Sequence, residues 1–168
     1  MTNQDFDAFG FLEGLTFPTE EVTLYVDESA AYAASKLLDE KAELETAGKG
    51  AKRIAAIDKE LKALADSLTE SAIVVTLRGT HSGKIEEILG RDDSDDDSTN
   101  QNLIAAFMVS ISAQGKTDER EFTGADVARF KGLIPSRSWQ ELNQAVHRII
   151  VASLAFDRMG DAGFFPKS

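Results

Sequence analysis

The chain has 168 residues, 29 acidic against 18 basic, a net charge of −11 and no cysteine. Phosphate recognition relies on Lys/Arg counterion release, so this balance excludes nucleic acid as the main partner, and anionic membrane surfaces with it. Without cysteine there is no disulfide, thiolate zinc site or cysteine nucleophile, while the 42% hydrophobic content suffices for a core.

The opening, residues 1–20, is expected to be an acidic, Phe-rich arm. Residues 1–28 hold seven acids and no base, and Phe9 and Phe11 sit beside Gly10 with no clean period. These phenylalanines either pack on the arm's own core or dock on a partner. The start, Met1-Thr2-Asn3-Gln4-Asp5, lacks the basic and apolar regions of a signal peptide. Glu21–Val26 alternates apolar and polar residues and reads as a strand, as does Ala72–Arg78, which Gly79 stops.

Two helical stretches lie between them. In the second, Ile54, Ile57, Leu61, Leu64 and Leu68 recur at spacings of three and four, a heptad seam. The first, over about 28–46, carries Ala30, Ala34, Leu37 and Leu44, with Lys41 interrupting the row. Gly48-Lys49-Gly50 is the stop and turn between them. Helices of about 18 residues each climb roughly 27 Å and return, so the chain re-enters where it left and the two strands can pair antiparallel. The seam serves either packing within the hairpin or self-association into a homo-oligomer.

Ser82 is the expected N-cap of a short helix over Lys84–Leu89. Arg91–Asn100, with five aspartates and no apolar residue, reads as a flexible, acidic loop. Gln101–Gln114 is dense in apolar residues and long enough to be a buried helix. Thr123 opens another helix, with Asp126 at the capping-box spacing. Pro135 breaks it, and Ser136 or Ser138 caps a last helix that runs to about Arg158, with Trp139 near its start. The predicted fold is α+β. Residues 21–90 form a two-stranded antiparallel sheet with an inserted, coiled-coil-like helical hairpin. The acidic loop 91–100 follows, then a helical bundle over 101–158 and a tail over 159–168.

No catalytic constellation emerges. Gly79-Thr80-His81-Ser82-Gly83-Lys84 has three residues between its glycines where a phosphate loop needs four, and Ile85 stands where the magnesium-binding hydroxyl belongs. Aligning Asp93, Asp95 and Asp97 with the first ligands of a calcium loop puts Ser98 at the obligatory glycine and Ile104 at the bidentate glutamate. His81 and His147 lack metal-ligand spacing. The expectation is a non-enzyme with no catalytic residues, no metal and no cofactor. Its candidate interaction surface comprises the five seam residues with Phe9, Phe11 and Trp139.

The order of these segments carries a resemblance. An acidic Phe-rich opening leads into Phe17-Pro18-Thr19-Glu20-Glu21-Val22-Thr23-Leu24-Tyr25-Val26-Asp27. A charged helical hairpin, Ser71-Ala72-Ile73-Val74-Val75-Thr76-Leu77-Arg78-Gly79 and Leu133-Ile134-Pro135-Ser136-Arg137-Ser138-Trp139-Gln140-Glu141-Leu142 follow. Together they resemble tail assembly chaperones of long-tailed, siphovirus-type bacteriophages of actinobacteria. The ending, Asp161-Ala162-Gly163-Phe164-Phe165-Pro166-Lys167-Ser168, resembles the close of the short, unshifted product of that family, whose longer form arises by programmed frameshifting. The resemblance implies a protein of the host cell cytoplasm, absent from the mature virion. It implies binding to the tape measure protein, which such chaperones keep soluble, and help in recruiting tail tube protein. The alternative is a structural virion protein of the tail or head–tail connector.

Overall fold

The computed structural model describes residues 7–91 and 95–153. Period-two alternation in Thr19–Leu24 (β1) and Ile73–Arg78 (β2) puts Val22, Leu24, Val75 and Leu77 on one face, and all four are buried. The strands pair antiparallel from Thr19 opposite Arg78 to Leu24 opposite Ile73. At the Leu24–Ile73 end the chain leaves through Glu28–Thr46 (α2) and returns through Ala51–Glu70 (α3), helices of 19 and 20 residues. Asp27 caps α2 by accepting the Ala30 amide at 3.0 Å. Gly48 and Gly50 make the turn at φ +64° and +84°, values that favour glycine.

The sheet corrects the expectation of two strands. It has four, in the order β1-β2-β3-β4, all neighbours antiparallel, with β3 over Met108–Ala113 and β4 over Lys116–Glu119. The apolar run Gln101–Gln114 is therefore not one helix. A helix over Asp96–Phe107 (α5) ends, and the chain passes into β3 at the next residue. Val109-Ser110-Ile111-Ser112 then follows the strand period. Gln114 and Gly115, both at positive φ, close a two-residue turn of the handedness that suits twisted strands. Val109 is the extra residue of a bulge, since Thr76 pairs with Ser110 and Leu77 with Met108.

The acidic stretch is also reassigned in part. Residues 92–94 lie outside the described residues, but Asp95 caps α5, accepting the Ser98 amide at 2.6 Å. Asp96 and Asp97 occupy the first turn, where carboxylates complement the positive end of the helix dipole. A run that repels itself in a loop is favourable at a helix start.

Ala8–Glu13 (α1) gives the arm a short helix that buries no residue. Ser82–Leu89 (α4) starts at Ser82 with His81 as N-cap and no side-chain capping bond, so Ser82 is not the cap. Gly124–Lys131 (α6) starts with a closed capping box between Thr123 and Asp126. Ser136–Ile150 (α7) follows Pro135, and a 3-10 turn covers Val151–Ser153. The α-helix thus ends at Ile150 and gives way to this turn within the extension expected to reach Arg158; residues 154–158 and the tail beyond them lie outside the described residues.

The C-terminal helices do not form a bundle of their own. One core cluster joins Val22, Leu24, Val75 and Leu77 of the sheet to Ile104 and Phe107 of α5, Val127 of α6, and Leu142, Val146 and Ile149 of α7. α7 lies along β1, and Arg148 pairs with Glu20 across that contact. A four-stranded sheet needs its apolar face covered, and α5, α6 and α7 supply the cover. Among the described residues no helix is long and apolar enough to cross a membrane.

Candidate functional site

The seam residues are the apolar positions of α3 that are not exposed, and α3 packs against α2. Ile57 is fully buried, while Ile54, Leu61, Leu64 and Leu68 are half-buried. Lys41, which interrupts the opposing row, reaches the Asp58 carboxylate at 2.6 Å. Arg53 grips Glu40 with two bonds of 2.6 and 2.7 Å and Glu60 with a third of 2.9 Å. Arg53 and Glu60 stand one turn to either side of Ile57, so long charged side chains flank a row that two helices alone leave half open. Arg53 holds the Glu40 carboxyl below its ordinary value, and the bond to Asp58 raises Lys41.

Phe9 and Phe11 are placed quite differently. They stand on α1 at 79% and 60% exposure, beside exposed Leu12 and Leu15. α1 is held by its own Asp7 cap, which accepts the Gly10 amide at 3.0 Å. Trp139 is half-buried against the core, with the Lys131 ammonium 5.4 Å from its ring centre. The eight residues named from sequence therefore occupy three separate places: the hairpin seam, the arm and the flank of the core.

A concave surface lies elsewhere, at the junction of the hairpin with the body. A cleft of about 550 Å³ opens between the start of α2, the end of α3 and the start of α7. Tyr25, Ala31, Leu68 and Pro135 provide its apolar surface, and Asp27, Glu28, Arg137 and Glu141 its charges. Its geometry is fixed by Ser138, which is 2% exposed and donates its hydroxyl to the Tyr25 carbonyl at 2.8 Å. That bond ties α7 to the exit of β1, 113 residues away in sequence. Only Leu68 of the cleft was among the candidate interaction residues, and Ser138 was read as a possible helix cap, a role its side chain does not take. Tyr25 and Pro135 were visible only as a strand residue and a helix breaker, because their juxtaposition is purely tertiary.

The remaining candidates have structural partners. Gly79, the first glycine of the near-phosphate-loop run, meets the incoming arm. Its amide donates to the Pro18 carbonyl at 2.9 Å, and a Cβ there would lie 3.2 Å from Pro18 Cδ and 3.3 Å from Phe17 Cβ. His81 stands edge-on to the Phe17 ring, with centroids 4.7 Å apart. Among the described residues no group of three or more His, Asp or Glu side chains is placed to hold a metal ion. Comparison with known proteins adds no identity: no family model matches the chain, and no curated protein or solved structure matches it.

Proposed function

We propose that this chain is a binding protein without catalytic activity, a tail assembly chaperone of a long-tailed actinobacteriophage. In this reading it acts in the host cytoplasm, covers apolar surface of the tape measure protein, and leaves before the virion is complete. The observation that carries the reading is α1, a helix that buries none of its residues and displays Phe9 and Phe11 to solvent. Large aromatic side chains held outside a core mark contact surfaces. The order of segments that resembles the chaperone family supports it, and so does the acidity, which keeps a protein with exposed aromatic groups dispersed. Phe9 and Leu12, three residues apart on α1, share one side of the helix and supply the apolar anchors for contact in the helix-in-groove mode.

Co-expression with the tape measure protein encoded downstream tests it. The tape measure protein is expected in the soluble fraction with this chain and in the pellet without it, and Phe9→Ser/Phe11→Ser is expected to shift it back. Equal solubility in both cases overturns the proposal. Stoichiometric recovery of the chain from purified particles also overturns it, in favour of a structural virion protein.

A further inference from the structure

The cleft between the hairpin base and α7 has the chemistry of a peptide subsite. Its floor is apolar: the half-exposed Tyr25 ring, Leu68 and Pro135, with Ala31 leaving room where a larger side chain would fill it. Its volume of about 550 Å³ falls within the usual range for ligand clefts, about 300–1,000 Å³. Its rim holds three carboxylates, Asp27, Glu28 and Glu141, against one base. That base, Arg137, already bonds Glu141 at 3.1 Å, so the rim remains negative.

We infer that this cleft binds a peptide segment bearing a bulky aliphatic or aromatic side chain flanked by lysine or arginine. The floor takes the apolar group, while Glu28 and Asp27 face the flanking cations. Charge argues against a second copy as the occupant. Among the described residues the most exposed aromatic segment, α1, runs between Asp7 and Glu13 without a base, and the rim repels it. The specificity of the cleft holds whether or not the tape measure protein carries the segment, so its failure leaves the co-expression result standing.

The test uses the full chain and two labelled helical peptides. One carries Leu and Phe on one face with Lys on both flanks, and in the other every Lys is Glu. Fluorescence anisotropy is expected to show the Lys peptide binding at least about ten-fold more tightly than the Glu peptide, with affinity falling as salt is raised. Ala31→Trp fills the floor from an exposed helix position and is expected to abolish binding with the melting temperature unchanged. Glu28→Lys/Glu141→Lys is expected to reverse the preference between the peptides, which checks the site by a gain as well as a loss. Equal binding of the two peptides, no binding of either, or binding indifferent to Ala31→Trp overturns the inference. A dimer in sedimentation that Ala31→Trp breaks, without peptide binding, overturns it in favour of self-association.

Discussion

The Asp126 carboxylate receives bonds from two residues that precede it, Arg120 and Thr123. The Arg120 guanidinium donates to its two oxygens at 3.0 and 3.2 Å, and the Thr123 amide and hydroxyl donate at 2.9 Å each. These donors, the guanidinium first, hold its carboxyl well below the ordinary carboxylate range. A depressed carboxyl stabilises the fold above its unfolded value of about 4, and that contribution disappears as pH falls through the folded value. Acidification below about pH 4 is therefore expected to lower the melting temperature of the parent more than that of Asp126→Asn. Parallel pH profiles would show that the carboxylate carries none of this. Thr123→Ala removes the reciprocal cap and is expected to cost about 1 kcal/mol in urea unfolding. The box was legible in sequence because capping is a local spacing rule. The role of Gly79 was not, because Pro18 and Phe17 reach it only through the pairing of β1 with β2.

At the scale of elements, β2 and the second hairpin helix were readable from a single period. The first helix, whose row Lys41 interrupts, was readable from its length and the Gly48-Lys49-Gly50 stop, and β1 begins and ends two residues early of the expected Glu21–Val26. The β3–β4 hairpin was missed for an identifiable reason. Phe107 ends α5 and Met108 begins β3 with no glycine or proline between them, so composition gives no boundary in an apolar run. The Gln114-Gly115 turn and the Ser110/Ser112 alternation held the signal, at a length shorter than the window that favours a helix. Of the cleft, only Leu68 was in view as an interaction residue, because its walls come from three elements.

The hairpin also carries its own test. Leu61→Asp puts a charge on the half-buried face against α2, a loss of apolar burial together with an unpaired carboxylate, worth about 3 kcal/mol. The expected outcome is an early loss of helical ellipticity, with the tertiary signal of the body retained to higher temperature. Arg53→Ala removes exposed ion pairs and is expected to lower the melting temperature slightly at low salt and not at 1 M salt, as screening requires at roughly that ionic strength. A full effect persisting at high salt would assign Arg53 a packing role instead.

For the whole molecule the decisive fact is where the core lies. Its buried cluster runs from Val22 and Leu24 to Val75 and Leu77, and on through α5, α6 and α7, with no member from residues 28–71. The hairpin is thus an insertion at the Leu24–Ile73 end of an antiparallel pair, and its ends are neighbours by register. A closed antiparallel pair needs only a short turn. Replacing residues 27–71 by a brief Gly-Ser loop is therefore expected to leave a body that melts in one cooperative transition, with helical signal reduced by about the share of α2 and α3. The same deletion removes Asp27, Glu28, Ala31 and Leu68, four of the residues that line the cleft, so the body is expected to fold and yet fail to bind the Lys-flanked peptide. A deletion variant without a cooperative transition would show that the hairpin is part of the folding unit. One that folds and still binds would place the peptide site elsewhere on the body.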